Sequence, residues 1–258
     1  MAPSTLHVET FGGDGAPILA LHGISGFGAR YARLAEHLHD RRWICPDLRG
    51  HGASPATAPW ATADHVADLL EVLDRHDADQ VALIGHSFGG HLALHLLGAA
   101  PERVGRVVLL DPASLLDGDA VAAGALAYAR DPGWDTRDAA VTEIGTWFTD
   151  ESRPDFDLEV ERNLVQDDEG RWRMRFSPAV IGTGYGEMAR PLPSLPADRD
   201  VLLLEADPAQ TTVNDRLRAA LQTAFGDRLR REVVPGAGHV IFRTSLRETA
   251  DAITRFLA

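Results

Sequence analysis

The sequence predicts an α/β fold in which helices flank a mostly parallel, twisted β-sheet. Short apolar runs alternate with amphipathic helical patterns in residues 1–112, and the same alternation returns in residues 197–258. Strands that alternate with helices in this way form βαβ units, whose strands lie parallel in one sheet. Several of the apolar runs end in glycine-containing polar loops, and ligands are expected at the carboxyl ends of such strands.

The individual elements follow from the local patterns. The predicted strands are short apolar runs bounded by turn residues, and they cover residues 5–10, 17–21, 42–46, 81–84, 104–110, 201–204 and 230–234. The predicted helices place apolar residues three and four positions apart, and they cover residues 31–38, 66–73, 91–97, 217–224 and 246–257. The glycine-rich segment 12–15 opens no helix, so we interpret it as a hairpin turn and not as a dinucleotide site.

The segment 113–196 has a different character from the rest of the chain. Alanine-rich helical patterns and scattered aromatic residues replace the regular strand rhythm there. The segment is too long to be a simple loop of a compact domain. We therefore predict one core domain formed by residues 1–112 and 197–258, with residues 113–196 inserted as a helical cap.

Composition narrows the classes of partner and chemistry. The formal net charge is -13, and the 25 basic residues are all arginine. Such an acidic surface disfavours nucleic acids and anionic lipid, and the lack of lysine excludes a Schiff-base lysine and a serine–lysine dyad. The single cysteine forms no internal disulfide, and no apolar run is long enough to span a membrane. We expect a cytoplasmic monomer or homodimer that acts on a small molecule.

The segment 81–90 carries the strongest chemical signal. An apolar run ends in Gly85-His86-Ser87-Phe88-Gly89 and passes directly into a helical pattern. A serine on such a strand–turn–helix apex has its hydroxyl exposed above the sheet edge. The helix N-terminus that follows favours a developing anion at the same place. Ser87 is therefore our candidate nucleophile.

A serine hydroxyl needs a base, and the base needs an orienting acid. His239 is the best candidate base, because it follows the last predicted strand in a glycine-rich loop. For the acid we favour Asp207, which follows the strand at 201–204 and lies between Ser87 and His239 in chain order. Three alternatives stay open: Asp111 at the end of an earlier strand, Glu205, or no functional acid.

The motifs together resemble the serine hydrolases of the α/β-hydrolase superfamily. The matching segments are Leu21-His22-Gly23, Asp47-Leu48-Arg49-Gly50-His51-Gly52-Ala53-Ser54, Gly85-His86-Ser87-Phe88-Gly89-Gly90 and Gly238-His239. The resemblance covers nearly the whole chain outside the predicted cap. It is specific for the fold and for a serine hydrolase but only weakly specific for a substrate.

The resemblance implies a role for each matching residue. Ser87 would be the nucleophile, His239 the general base and then acid, and Asp207 the orienting carboxylate. The backbone N–H groups of Phe88 and Ile24 would form the oxyanion hole. No metal or cofactor is implied. The family's acid often stands in Gly-x-x-Asp, but this chain has Leu204-Glu205-Ala206-Asp207, and some members place the acid one strand earlier.

The remaining histidines are predicted to be structural. His22, His51 and His86 adjoin the motifs but are not needed as a second base. His91 and His95 stand four residues apart, as metal-binding pairs do, but the sequence shows no third ligand nearby.

Aromatic residues of the predicted cap are expected to wall the substrate pocket. We assign Trp134, Trp147 and Phe148 to this wall, with Ser25 beside the oxyanion loop. Such a pocket favours a small-to-medium apolar carboxylic ester. Lactonase, thioesterase and carbon–carbon bond hydrolase activities would use the same groups. A non-catalytic small-molecule receptor on the same fold is the alternative of another class.

Overall fold

The computed structural model describes residues 5–130, 133–150 and 152–258. The strands are β1 (Val8–Gly12), β2 (Pro17–Leu21), β3 (Arg42–Pro46), β4 (Val81–His86), β5 (Val104–Leu110), β6 (Leu164–Gln166), β7 (Trp172–Met174), β8 (Val201–Glu205) and β9 (Leu229–Val233). The α-helices are α1 (Ala32–His37), α2 (Thr62–Arg75), α3 (Phe88–Ala99), α4 (Gly118–Ala129), α5 (Arg137–Gly145), α6 (Arg153–Asn163), α7 (Pro178–Met188), α8 (Asp215–Phe225), α9 (Ile241–Thr244) and α10 (Leu246–Leu257).

Seven strands form one sheet in the order β1-β3-β2-β4-β5-β8-β9. All neighbouring pairs are parallel except β1 and β3, which are antiparallel. The predicted fold class is therefore confirmed. The carboxyl ends of β4, β5 and β8 lie side by side, because Gly85 pairs with Leu109 and Leu109 pairs with Leu203.

The sheet is buried on both faces, as its continuous apolar strands require. Alternate residues of each strand point to opposite faces. In β2, for example, Leu19 and Leu21 belong to one apolar core, whereas Ile18 and Ala20 belong to the other. Helices α2, α3 and α8 cover the first face, and helices α1 and α10 cover the second.

The chain between β5 and β8 contains helices α4 to α7 and the antiparallel hairpin β6–β7. The hairpin adds two short strands to the helical patterns of this segment. Strand β7 falls where Arg171, Arg173 and Arg175 alternate in the sequence, as on an extended segment. Part of this region has a small apolar core of its own, formed by Ala140, Ile144, Leu164 and Met174. Residues 131, 132 and 151 of the predicted cap lie outside the described residues.

None of the helices in the described ranges combines the length and the apolarity that a membrane crossing requires.

Candidate active site

Ser87 stands at the apex of a sharp turn between β4 and α3. Its φ of 52° and ψ of -117° lie outside the usual regions for a residue with a side chain. The neighbouring glycines make this turn possible. A Cβ on Gly85 would lie 2.4 Å from the Gly89 carbonyl oxygen, and a Cβ on Gly89 would lie 2.1 Å from that of Leu21. The sequence Gly-x-Ser-x-Gly thus allows the helix to start directly against the strand.

Ser87 is fixed from both sides by the end of β5. Its N–H donates to the Leu110 carbonyl oxygen at 3.2 Å, and its carbonyl oxygen accepts from the Ala113 N–H at 3.1 Å. Only 5% of the residue is exposed. Ser87 lines a cavity of 340 Å³, which we call the nucleophile cavity.

His239 lines the same cavity as Ser87. Its Nδ1 lies 2.7 Å from Oδ2 of Asp111, and its side chain is one-third exposed. Because an ionised carboxylate only accepts hydrogen bonds, Nδ1 carries the proton of this contact. That tautomer leaves Nε2 with a lone pair, which is the form that accepts a proton from a serine hydroxyl.

The Asp111 side chain is completely buried and is fully hydrogen-bonded. Besides His239, its oxygens accept from the backbone N–H groups of Ala206 and Thr212 and from the hydroxyls of Thr211 and Thr212. Burial alone would raise the pKa of Asp111, but the bonds from His239 and the other donors outweigh it and hold that pKa below its usual value. Asp111 is therefore a permanently ionised partner for the histidine at neutral pH.

The sequence favours Asp207 as the partner of His239, but the structure places Asp111 beside His239. The Asp207 carboxylate accepts hydrogen bonds from the N–H groups of Ala209 and Gly236, both at 3.1 Å. It closes its own exposed loop, whereas the carboxylate of Asp111 occupies the position beside His239. The two aspartates follow neighbouring strands, but Asp207 does not line the nucleophile cavity, and its carboxylate contacts only backbone N–H groups among the described residues.

The second alternative acid, Glu205, binds arginine side chains and not His239. It is buried at the end of β8 and forms ion pairs with Arg218 and Arg231, each at 2.7 Å. Such a paired buried carboxylate holds β8 to its neighbouring elements, and it makes no contact with His239 among the described residues.

The backbone N–H groups of Ile24 and Phe88 have no acceptor within the described part of the protein. Ile24 lines the nucleophile cavity, and Phe88 follows Ser87 as the first residue of α3. The loop that carries Ile24 is held by His51, whose Nε2 lies 2.5 Å from the Ile24 carbonyl oxygen. Free N–H groups on fixed backbone are suitable donors to an oxyanion.

Two further histidines brace the loops around Ser87. His22 donates from Nδ1 to the Gly23 carbonyl oxygen and accepts at Nε2 from the Leu48 N–H, so its neutral tautomer is fixed. The Nε2 of His86 lies 3.0 Å from the His239 carbonyl oxygen. Burial lowers the pKa of both His22 and His86 well below the usual value.

The pair His91 and His95 packs ring against ring at 4.4 Å. The ring nitrogens of His91 contact the hydroxyls of Ser114 and Thr62. These contacts involve both of the nitrogens with which His91 could bind a metal.

A second cavity, of 720 Å³, adjoins the nucleophile cavity. We call it the aromatic cavity, because Tyr128, Trp134, Trp147 and Phe176 line it. The two cavities share lining residues, which are Ser25, Arg30, Tyr128 and Val240.

The structure thus places three of the four predicted substrate-binding residues around these cavities. Ser25 stands where the cavities meet, and Trp134 and Trp147 form walls of the aromatic cavity. Phe148 lies behind that wall, packed against the guanidinium of Arg243. Sequence reasoning missed Arg30 and Arg243, since nothing in the sequence distinguishes them among 25 basic residues.

The comparison with known proteins identifies the family. A model of the α/β hydrolase family matches residues 18–252. The chain belongs to the α/β hydrolase family. This membership confirms the resemblance that the sequence motifs indicate.

The hydrolase is similar to two relatives in sequence and to a solved structure in fold. It is 37% identical over 224 residues to lipase LipV of Mycobacterium tuberculosis, with 86% of each chain covered. It is 26% identical to esterase YbfF of Escherichia coli, over 95% of this chain and 94% of the relative. A solved marine microorganism esterase, 22% identical, superposes with a TM-score of 0.81 over 98% of this hydrolase and 99% of that chain.

Proposed function

We propose that this hydrolase cleaves carboxylic esters through an acyl-enzyme on Ser87, with His239 as general base and Asp111 as the orienting acid. The observation that carries the proposal is the contact between His239 Nδ1 and the buried carboxylate of Asp111, on a histidine that shares a cavity with Ser87. A nucleophile, a base and a group that orients the base are the parts that serine catalysis needs.

The proposed reaction has two halves. In the first, Ser87 Oγ attacks the ester carbonyl carbon while His239 Nε2 takes the hydroxyl proton, and the N–H groups of Phe88 and Ile24 stabilise the oxyanion. The C–O bond then breaks, and His239 returns the proton to the departing alcohol. In the second half, water gives a proton to His239 Nε2 and attacks the acyl carbon. The bond from the acyl carbon to Ser87 Oγ then breaks, His239 returns the proton to Oγ, and the carboxylic acid is released.

The substrate assignment draws on the cavity walls and on the relatives. Apolar side chains of Ala113, Leu116 and Met188 line the nucleophile cavity, whose 340 Å³ suits a small-to-medium apolar group next to the ester. The relatives named lipase and esterase support ester cleavage over the lactone, thioester or carbon–carbon alternatives. A receptor that binds without turnover would keep the same cavity.

Labelling with a fluorophosphonate probe tests the proposal. We expect phosphonylation of Ser87, located by peptide mass spectrometry, together with hydrolysis of short p-nitrophenyl esters. Ser87→Ala should abolish the labelling and lower turnover by roughly 10⁵-fold or more. His239→Ala should slow both processes, because the serine then lacks its base. Labelling without turnover of any ester would support the receptor function instead.

A further inference from the structure

Arg243 is a cation in the wall of the aromatic cavity, on the short helix α9 and four residues after His239. Its guanidinium packs over the ring of Phe148 at 4.5 Å, a contact that leaves the N–H groups unused. The Nε atom is buried and has no hydrogen-bond partner among the described residues. A buried donor without an acceptor is destabilising, so its presence calls for an explanation.

The carboxylates near Arg243 are already occupied by other arginines. Arg30 binds Glu159 with two hydrogen bonds, from Nε to Oε2 at 2.9 Å and from Nη2 to Oε1 at 2.6 Å. Arg33 binds Asp155 at 2.9 Å. Arg243 forms no ion pair within the described residues. Among the described residues, this cluster therefore holds three guanidinium groups against two carboxylates. Arg30 and Arg243 of the cluster line the aromatic cavity, whose wall also carries Arg130 and Glu143. One oxygen of the Glu143 carboxylate accepts a hydrogen bond from Trp134 Nε1.

The surroundings disfavour the charge of Arg243 but do not remove it. Burial, followed by the nearby charge of Arg30, lowers the pKa of Arg243 to about 10, and these two effects outweigh the opposite effect of the Glu159 and Asp155 carboxylates. The group is still cationic at neutral pH. An anion that enters the cavity and binds this guanidinium should therefore gain a favourable binding free energy, because a charged hydrogen-bonded pair replaces a partly desolvated cation without an ion-pair partner.

We propose that Arg243 binds a carboxylate on the substrate, so that the preferred substrates are esters bearing a free carboxylate at the end remote from the ester bond. This inference rests on the proposed ester hydrolysis at Ser87. Because Nε is buried, the terminal nitrogens Nη1 and Nη2 of the planar guanidinium are the pair that would hold a carboxylate in two-point contact. The aromatic walls of the cavity fit the apolar chain that joins the two ends of such a molecule.

The arrangement of the cavities defines how the substrate lies. The ester carbonyl must reach Ser87 in the nucleophile cavity, while the carboxylate reaches Arg243 in the aromatic cavity. The connecting chain passes the junction formed by Ser25, Arg30, Tyr128 and Val240, where the guanidinium of Arg30 is already bound by Glu159. Because both ends are held, the rate should depend on chain length and show an optimum.

A matched substrate series tests this inference. One set comprises monomethyl esters of linear dicarboxylic acids from succinate to azelate, and the other comprises methyl esters of the same lengths that end in a primary amide. At the optimal length, wild-type kcat/KM should be roughly tenfold or more higher for the carboxylate, as expected for a charge-assisted pair. Arg243→Gln should remove this preference, and Arg243→Lys should keep part of it.

The control variant is Arg247→Gln. Arg247 is exposed on α10, close to Arg243 in sequence but outside both cavities, so this variant should keep the wild-type preference. Thermal unfolding checks that each variant is folded. If wild type shows no carboxylate preference at any length, or if Arg243→Gln retains it, the role of Arg243 is overturned while ester hydrolysis stands. If no member of either set is cleaved and Ser87 is not labelled, the proposed function fails as well.

Discussion

Asp111 and Asp207 differ in what their carboxylates contact, and this difference decides the proposed triad. Asp111 is buried, ionised and bonded to His239, whereas Asp207 caps an exposed loop through Ala209 and Gly236. The contact with His239 holds the imidazole in the tautomer that can accept the serine proton. The orienting role therefore belongs to the aspartate after β5 in our account.

Replacing each aspartate by asparagine separates the two assignments. Asp111→Asn should lower kcat by about 10³- to 10⁴-fold, because an amide can donate to His239 and so favours the wrong tautomer. Asp207→Asn should change kcat by less than about twofold, since only a loop contact is altered. Steady-state kinetics on one p-nitrophenyl ester measures both. The reverse ranking would return the role to Asp207.

At the scale of single residues, the sequence motifs indicate Ser87 and His239 as candidates, but for the acid they favour Asp207 over Asp111. A Cβ on either glycine of the Ser87 motif would lie less than 2.5 Å from a backbone oxygen, so glycine is required at both positions. This requirement makes the motif recognisable in the sequence. The aspartates Asp111 and Asp207 both follow strands, and β5 and β8 are neighbours in the sheet. A sequence pattern places them at the same edge but contains no information on which loop turns its side chain inward.

At the scale of elements, the turn between β4 and α3 depends on the absence of a side chain at Gly89. The strand and the helix pass so closely that a Cβ there would overlap the Leu21 carbonyl oxygen. The overlapping atom belongs to the backbone of β2 and cannot move aside as a flexible side chain could. The geometry of the nucleophile turn therefore depends on the close packing of α3 against β2 at Gly89.

We expect Gly89→Ala to lower the free energy of unfolding by about 3 kcal/mol or more and to abolish labelling of Ser87. The matched control is Gly186→Ala, an exposed glycine of α7 where an added methyl group would meet no atom within 4 Å. It should raise the free energy of unfolding by about 0.5–1 kcal/mol, as alanine does in a helix. Urea unfolding measures both changes, and equal effects would contradict the packing argument.

The regular elements were predictable where a buried face repeats along the chain. Strand β8 and helix α10, for example, contribute to the apolar core at intervals of two and of three to four residues respectively. The pairing of β6 with β7 was missed, because each strand has three residues and a short extended segment does not indicate its partner strand. The position of Arg243 in a cavity wall could not be predicted either, since that wall combines distant segments of the chain.

At the scale of the whole molecule, several buried histidines make the fold sensitive to acid. Burial lowers the pKa values of His22, His51, His65, His86 and His91. In the unfolded chain these side chains take up protons as the pH falls below about 6.5, while the folded protein does not. The free energy of unfolding should therefore decrease as the pH falls from about 6.5 towards 3.

His65 offers the sharpest test of this acid sensitivity. Its pKa is lowered to about 3, mainly by burial, and neither ring nitrogen has a hydrogen-bond partner among the described residues. Proton uptake by this histidine in the unfolded chain should by itself make the free energy of unfolding about 2 kcal/mol lower at pH 5 than at pH 7.5. His65→Leu should remove that part of the decrease, whereas replacing the exposed His39 by glutamine should not. Urea unfolding at the two pH values tests this, and an unchanged decrease in His65→Leu would contradict it.

The most direct test of the account is detection of the covalent intermediate. A reaction with p-nitrophenyl acetate would be quenched in acid within the first turnover and examined by mass spectrometry. We expect a rapid release of about one equivalent of nitrophenol and an acetyl group on the peptide that contains Ser87, both lost in Ser87→Ala. Steady hydrolysis with no acetylated peptide, or with the acetyl group on another residue, would contradict the proposed mechanism.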